Sequence, residues 1–222
     1  MKTVNAITVC VNYADLLAIT LPRMLTHFTS LHVLTDFDDR ETYDLCIQHS
    51  RVRVSRTNLF YHEGAKFNKG KAIEEALKDS PQCDGLWTCI IDADTYLPET
   101  MDLSNLSFGC LHSPYRSLLK RPTKIPNESE WSRLPPGWEQ SNKEFAGYFQ
   151  LFASSDPRFT SGPPWYSYSK WTTAQGCDSE FFKRWYPNNL VRLPFEVLHL
   201  GELRENWEGR KTERWGYNNE LQ

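Results

Sequence analysis

The first hundred residues alternate between segments typical of buried β-strands and segments with the apolar spacing of amphipathic helices. The strand-like runs are residues 6–11, 31–34, 52–54 and 86–91. Helical spacing covers residues 16–28 and 69–79, and Asn68 is a suitable N-cap for the second helix. Strands and helices in this order form a mostly parallel sheet with helices on both faces. The chain is therefore predicted to be an α/β protein.

Polar residues follow three of these strand-like runs. Asn12 follows the first run, Asp36 follows the second, and Asp92 with Asp94 follows the fourth. In open parallel sheets, ligands bind beyond the carboxyl ends of the strands. We expect these side chains to lie along one edge of the sheet and to form a binding site there.

The segment after the fourth run carries the most specific motif, TCIIDADTYLPE. Its two aspartates, Asp92 and Asp94, stand at i and i+2, so both side chains project from the same side of an extended backbone. Two carboxylates this close repel each other unless a cation or a donor group lies between them. Hard oxygen ligands suit Mg²⁺ or Mn²⁺, which also bridge diphosphate oxygens. The motif therefore predicts a divalent-metal site.

The start of the helix at residues 69–79 is a second candidate site, for an anion. Its free backbone N–H groups and its macrodipole attract negative charge, and Lys66, Lys69 and Lys71 add positive charge. The alternative interpretation is a solvated basic helix end without a ligand.

The motif IIDADTYLPE, placed after the fourth strand, resembles the D-x-D motif of the GT-A glycosyltransferases, especially the family-two-like members. The resemblance implies one GT-A (Rossmann-like) domain over residues 1–222, with a nucleotide-sugar-binding half at 1–100 and an acceptor-binding half at 101–222. It also implies that Asp94 coordinates the metal directly and that Asp92 faces the ribose or the metal's water shell. The implied reaction moves a hexosyl or pentosyl group from a nucleotide-diphosphate sugar, by default a UDP-sugar, to an acceptor hydroxyl.

Other segments of the chain resemble this family more weakly, and they occur in the order expected for it. Asn12 lies in the loop where the resemblance places the base and ribose, and Asp36 lies in TDFDD, where the family often has an acidic residue that reads the base. The segment FNKGKAIEEAL resembles the donor-side helix and includes Asn68 and Lys69, and Lys66 stands directly before it. These residues are the expected contacts to the donor.

The segment AQGCDSEFFKRW resembles the part of the family in which an acidic pair precedes a helix. By this resemblance Asp178 is the catalytic base of an inverting enzyme, because a carboxylate within hydrogen-bond reach of the acceptor hydroxyl can take its proton. Cys177 stands where the family usually has an acidic residue, so Glu180 is a second candidate for the base. The alternative role of Asp178 is to cap the helix.

A late histidine completes the metal site that the resemblance implies. The segment RLPFEVLHLGE places His199 at the end of an apolar strand, and many GT-A enzymes take a third protein ligand from this point. An imidazole beside two carboxylates favours Mn²⁺ over Mg²⁺.

The rest of the second half is less regular. We expect residues 113–142, which hold many Pro, Ser and charged residues, to form a long loop over the site. Strands are expected at 145–153 and 193–200, and a helix at 178–185. The segment 161–175 contains four aromatic residues expected to stack on the acceptor or form a lid, namely Trp165, Tyr166, Tyr168 and Trp171.

Composition limits the classes of partner. Hydrophobic residues make up 40% of the chain, and the net charge of -3 argues against a generally basic nucleic-acid binder. The basic stretch at residues 116–124 nevertheless leaves a nucleic-acid acceptor open, beside a glycan, a protein or a small molecule. No transmembrane segment is expected, because no apolar run approaches roughly 18 residues. Six cysteines without CxxC pairs predict no disulfide framework, so we expect a cytoplasmic protein of unspecified oligomeric state.

Two other functions stay open at this stage. The letters DADT also fit the D-x-D-x-T motif of the haloacid dehalogenase phosphatases, although that motif normally follows the first strand of the fold. The second alternative is a GT-A-like scaffold that binds a nucleotide or a sugar without turnover.

Overall fold

An eight-stranded sheet forms the centre of the computed structural model, which describes residues 2–81, 84–119, 125–131, 145, 147–159, 162–166, 172–185, 188–201 and 206–214. The strands are β1 (Thr3–Val9), β2 (Ser30–Thr35), β3 (Val52–Arg56), β4 (Leu86–Asp92), β5 (Thr95–Tyr96), β6 (Leu111–Leu119), β7 (Phe149–Ala153) and β8 (Leu190–Leu200). The α-helices are α1 (Ala14–His27), α2 (Arg40–Cys46), α3 (Lys69–Lys78), α4 (Glu128–Trp131) and α5 (Cys177–Phe182), and 3₁₀ turns lie at Leu59–Gly64 and Pro157–Phe159.

The order of the strands across the sheet is β3-β2-β1-β4-β7-β6-β8-β5. The strands β3, β2, β1 and β4 pair in parallel, and so do β6 and β8. Strand β7 runs antiparallel to β4 and β6, and the short β5 runs antiparallel to β8. The prediction of a mostly parallel sheet is therefore confirmed, and the carboxyl ends of β1, β2 and β4 lie at one edge of it.

Helices cover both faces of the sheet. Alternate residues of β1 point to opposite sides, so that Val4 and Ala6 pack in a core with Leu17 and Met24 of α1, whereas Ile7 packs in the core beneath α3. Within the described ranges, no helix has both the length and the apolar character needed to cross a membrane.

Helix α3 begins where the sequence predicts. The side-chain oxygen of Asn68 accepts a hydrogen bond from the backbone N–H of Lys71 at 3.0 Å, which satisfies one donor of the first turn. The helix packs against β1 and β2 through its buried apolar stripe, formed by Ala72, Ile73, Ala76 and Leu77. This packing brings the first residue of the helix, Lys69, to the end of β4.

The prediction of a long loop at residues 113–142 is wrong in its first part, because β6 continues to Leu119. The sequence does not indicate this strand, because it contains polar residues and a proline, which are typical of loops. Pro114 lies at an irregularity in the β6–β8 ladder, where its missing N–H does little harm, and Ser113 and Ser117 are buried rather than exposed.

Two further differences from the sequence-based prediction concern helix α2 and the start of strand β7. Helix α2 was not predicted, and it begins where the side chain of Asp39 accepts a hydrogen bond from the backbone N–H of Thr42 at 3.0 Å. Strand β7 begins at Phe149, later than expected. Apart from β6 and the short α4 with the residues before it, the predicted long loop lies outside the described part of the chain, at residues 120–124 and 132–142.

Candidate metal and donor site

Asp92, Asp94 and His199 converge at the edge of the sheet. Asp92 is the last residue of β4, Asp94 follows in the turn, and β8 carries His199. One ligand atom from each of the three side chains lies within 4.8 Å of the others, and Nε2 of His199 is 3.4 Å from Oδ1 of Asp94. The convergence follows from strand pairing, because Thr95 of β5 lies directly opposite His199 in the sheet.

The three side chains fit a divalent cation. Two carboxylates and an imidazole are a donor set that suits Mn²⁺. The side chains are largely shielded from solvent, with exposed fractions of 24% for Asp92, 15% for Asp94 and 10% for His199. The Nε2 atom of His199 is the ring nitrogen that approaches Asp94, and Nδ1 is buried without a hydrogen-bond partner among the described residues.

Lys69 brings a positive charge to this cluster. Its ammonium group forms an ion pair with the Asp92 carboxylate. Burial alone would raise the pKa of Asp92, but Lys69 and His199 outweigh this effect and hold that pKa below its ordinary value. The pKa of Asp94 is raised, because burial and the nearby Asp92 charge outweigh the attraction of His199. The cluster therefore has one carboxylate that is stabilised as the anion and one that is not.

Asp178 lies near Lys69, and Gly147 is adjacent to both side chains. Its Oδ2 accepts a hydrogen bond from the backbone N–H of Gly147 at 2.7 Å, and its Oδ1 accepts one from Ser179 N at 2.9 Å. A Cβ atom at Gly147 would lie 3.1 Å from Oδ2 of Asp178 and 3.4 Å from Nζ of Lys69. Gly147 is therefore a site residue that sequence reasoning missed, since no motif marks it, and its role arises only where β7 approaches α5.

The start of α5 bears on the alternative role of Asp178 and on the place of Cys177. The N-cap of α5 is Gly176, so the alternative in which Asp178 caps this helix is wrong. Cys177 is buried against Gly70. A Cβ atom added at Gly70 would lie 3.1 Å from the Cβ of Cys177, so this contact has room only for small side chains. Burial and the Asp178 charge raise the pKa of Cys177 to about 12, so its thiol stays neutral and does not replace an acidic residue.

Glu180 is not joined to this cluster. Its carboxylate forms an ion pair with Lys183 at 2.7 Å, one turn further along α5. No hydrogen bond or ion pair connects it with Lys69 or Asp92 in the part of the chain that the structure describes.

The turn after β1 has an unusual backbone. Asn12 has φ of 59°, in the left-handed region, and its N–H donates to Oδ2 of Asp39 at 2.6 Å. Burial and the charge of Asp94 raise the pKa of the hydroxyl of the next residue, Tyr13. Oδ1 of Asp36, the acidic residue expected to read the base, accepts a hydrogen bond from a backbone N–H within its own loop. This contact does not test that expectation. Asp39, from the same TDFDD stretch, is the residue that contacts the Asn12 turn.

The two other predicted donor contacts lie nearby. Lys66 is exposed and forms an ion pair with Glu208 at 2.7 Å. Asn68 is buried and uses its side-chain oxygen to cap α3. The prediction that each binds the donor is not tested by these contacts.

The aromatic segment differs from expectation. Trp165 and Tyr166 are 6% and 1% exposed and belong to the core beneath α3, so the prediction that they contact the acceptor is wrong. Their backbone N–H groups donate to the buried carboxylate of Glu74, at 2.9 Å and 2.6 Å. Tyr168 and Trp171 lie outside the described residues.

One residue of the basic stretch, Arg116, reaches the site. Its guanidinium lies 4.5 Å from the centroid of the Tyr148 ring and is close enough to lower the pKa of Asp92. Arg116 shares a face of β6 with Leu118, which lies opposite His199 in the β6–β8 ladder. No described residue forms a hydrogen bond or an ion pair with the Arg116 guanidinium. Residues 120–124 of the basic stretch are outside the described ranges.

Comparison with solved structures identifies the fold. Glucosyl-3-phosphoglycerate synthase from Mycobacterium tuberculosis, in complex with Mn²⁺, UDP and glucosyl-3-phosphoglycerate, matches 92% of this chain and 72% of its own, with a TM-score of 0.51 and 14% identity. Mannosyl-3-phosphoglycerate synthase from Rubrobacter xylanophilus matches 92% of this chain and 68% of its own, with a TM-score of 0.52 and 17% identity. No protein-family model matches the sequence, and no curated protein matches it. The protein therefore has the GT-A-type fold that its Asp-x-Asp motif predicted.

Proposed function

We propose that the protein is a metal-dependent glycosyltransferase that moves a sugar from a UDP-sugar to an acceptor hydroxyl. The observation that carries this proposal is the cluster of Asp92, Asp94 and His199 at the carboxyl edge of parallel strands in a GT-A-type fold. The M. tuberculosis synthase of similar fold is described in complex with Mn²⁺ and UDP, which supports the same donor class here.

In this proposal the cluster holds Mn²⁺ or Mg²⁺, and Mn²⁺ is preferred because of the imidazole. When bound, the cation supplies positive charge that stabilises the diphosphate as a leaving group. Lys69 adds a second positive charge beside Asp92, at the N-terminus of α3, where backbone N–H groups also favour an anion. Lys66 and Asn68 extend this donor side, and Asn12 with Asp36 borders the nucleoside.

Asp178 is the proposed base. The hydrogen bond from the Gly147 amide holds its carboxylate in place, so that it is oriented to accept the proton of the acceptor hydroxyl. Glu180, the alternative base, has its own partner in Lys183 and is the weaker candidate.

An acceptor with an acidic group is favoured by a separate observation. The Arg116 guanidinium stacks on Tyr148 beside Asp92 and has no ion-pair partner among the described residues. A guanidinium in this state is a ready donor to a carboxylate or a phosphate. The M. tuberculosis synthase is described in complex with phosphoglyceric acid, an acceptor of this chemical type. A nucleic-acid acceptor, which also carries phosphates, remains in this class.

Turnover tests the proposal. We would measure UDP release from a panel of UDP-sugars with Mn²⁺, with and without 3-phosphoglycerate, for the wild type and the variants Asp178→Asn and Glu180→Gln. Asp178→Asn should lose about 10²-fold or more in kcat and still bind UDP, whereas Glu180→Gln should stay close to wild type. The reverse pattern would move the base to Glu180.

The two alternative functions predict different results, one in this experiment and one in an added phosphate-ester assay. A non-catalytic scaffold would bind UDP and Mn²⁺ but release no UDP from any donor. A haloacid-dehalogenase-type phosphatase would hydrolyse a phosphate ester such as para-nitrophenyl phosphate. The phosphatase is disfavoured because the motif follows β4 rather than β1, and because Lys69 pairs with the carboxylate of Asp92 that would act as its nucleophile.

A further inference from the structure

We infer that Arg210, near the C-terminal end of the chain, is a positioning residue that holds the Asn12 turn in the shape required for donor binding. The inference rests on the proposed function, because it assigns a role within the nucleotide site. It concerns a residue that contacts neither the metal cluster nor the predicted base.

The Asn12 turn needs external support. A non-glycine residue with φ of 59° is uncommon and persists where the surrounding structure determines it. Both backbone polar groups of Asn12 bind charged side chains from distant parts of the chain. Its N–H donates to Asp39 Oδ2 at 2.6 Å, and its carbonyl accepts from Nη1 of Arg210 at 2.8 Å.

Arg210 is itself held from several directions. Its side chain is 5% exposed and forms a bidentate ion pair with Asp15, in which Nη2 lies 2.8 Å from Oδ2. Its guanidinium lies 4.7 Å from the centroid of the Tyr13 ring, and Nε donates to the carbonyl of Thr212 at 3.2 Å. One guanidinium therefore binds the backbone of Asn12, the ring of the next residue and the first turn of α1. Only arginine provides these contacts together, since lysine lacks both the planar fork and the stacking face.

The turn lies at the proposed donor site. It connects β1 to α1 at the carboxyl edge of the sheet, where ligands of such folds bind. Val9, the last residue of β1, lies opposite Asp92 in the β1–β4 ladder, so the turn follows β1 at the position of the metal cluster. A nucleotide whose diphosphate binds at the cluster therefore has this turn beside it.

The segment at residues 206–214, which carries Arg210, spans the same edge. Glu208 pairs with Lys66 just before α3, and the carbonyl of Trp207 accepts a hydrogen bond from Ala174 N at 2.8 Å. The segment thereby links the donor-side helix, the stretch before α5 and the Asn12 turn. Arg210 itself contacts the Asn12 turn, so a change in its contacts should alter this turn first and the donor site through it.

The experiment compares Arg210→Lys with Arg214→Lys, a matched control from the same segment. Arg214 forms an exposed ion pair with Glu41, and the two side chains are 53% and 54% exposed. For each protein we would measure the affinity for UDP with Mn²⁺ by calorimetry, and kcat and KM for UDP-sugar turnover. Arg210→Lys should weaken UDP binding and raise the donor KM by about tenfold or more, with a smaller change in kcat, because the turn is displaced. Arg214→Lys should stay within about twofold of wild type.

Amide hydrogen exchange separates the possible outcomes. Exchange in the Asn12 turn should be faster in Arg210→Lys than in wild type without any nucleotide, and Asp15→Asn should reproduce both effects. A folded Arg210→Lys protein that binds UDP as tightly as wild type would overturn the inference and leave the proposed function intact. A wild-type protein that binds no nucleotide would overturn the proposed function, and the inference with it.

Discussion

Nε2 of His199 lies 3.4 Å from Oδ1 of Asp94, although the two residues belong to opposite halves of the chain. Pairing of β5 with β8 produces this approach, since β5 begins immediately after Asp94 and its first residue lies opposite His199. The cluster is therefore built on a sheet rather than on mobile loops, and its spacing is set by the register of the ladder. A site on rigid elements holds its ligand atoms more accurately than a site on loops.

Removal of the Lys69 charge should destabilise the metal-free protein. In Lys69→Met the carboxylates of Asp92 and Asp94 lose their nearby lysine and repel each other, at a cost of about 2 kcal/mol or more in the free energy of unfolding. Mn²⁺ should recover most of this loss, because it supplies the missing positive charge. Urea unfolding with and without Mn²⁺ measures both quantities.

Lys78→Met is the matched control on the same helix. Lys78 pairs with Glu75 at the surface, so its loss should change the free energy of unfolding by no more than about 0.5 kcal/mol. Equal destabilisation of both variants would show that Lys69 acts through helix propensity rather than through the Asp92 carboxylate.

Gly147→Ala should impair turnover more than binding. The added methyl would lie 3.1 Å from Oδ2 of Asp178, so the carboxylate or the strand must shift by a few tenths of an ångström. We expect kcat to fall by about tenfold or more, because a displaced base loses its geometry, while the affinity for UDP changes little. Steady-state kinetics beside calorimetry checks this, and an unchanged kcat would argue against Asp178 as the base.

Local patterns made a large part of the fold predictable. The strand-like runs and the apolar stripe of α3 could be predicted because the spacing of their apolar residues matches the residues that are buried in the fold. Asn68 caps α3 as expected. The Asp92–Asp94 pair was readable because an apolar strand leads directly into it. The local sequence around His199 does not identify it as a metal ligand. It could be predicted only from its place in the chain order of the family that the sequence resembles.

The remaining features depend on tertiary contacts that no local pattern shows. Ser117 looks like a loop residue, but in β6 it is buried and donates to the carboxylate of Glu196 across the ladder. Gly147 matters only because α5 approaches it. An aromatic residue such as Trp165 is equally suited to a cleft and to a core, and the packing of α3 decides in favour of the core.

Trp165→Ala should therefore act on stability. Loss of a buried tryptophan leaves a cavity in the core beneath α3 and should lower the free energy of unfolding by about 3–5 kcal/mol. Phe108, which is 61% exposed, is the control, and Phe108→Ala should change the free energy of unfolding by less than about 0.5 kcal/mol. A Trp165→Ala protein of wild-type stability with a raised acceptor KM would restore the role in acceptor binding.

Acidification should destabilise the protein through His32. Burial, with a smaller effect of Arg53, lowers the pKa of His32 to about 4 in the folded state. Because this value is below that of the unfolded chain, the contribution of His32 to stability is present above about pH 6.5 and is lost as the pH falls towards 4. Between pH 7 and pH 5 the loss should be roughly 2 kcal/mol. In His32→Gln, urea unfolding should show a correspondingly weaker pH dependence; an unchanged dependence would assign the effect to other groups.

The most direct test of the central claim is the thermal stability of the wild type and of Asp94→Asn with nucleoside diphosphates, in the presence and absence of Mn²⁺. Because the pKa of Asp94 is raised in the folded state, ionisation of Asp94 lowers stability as the pH rises from the unfolded-state pKa through the folded-state pKa, and Asp94→Asn should therefore be at least as stable as wild type without metal at neutral pH. UDP at about 100 times its dissociation constant should add roughly 2.7 kcal/mol to the wild type only with Mn²⁺, and nothing comparable to Asp94→Asn. A folded wild-type protein that no nucleotide stabilises, with or without Mn²⁺, would contradict the account.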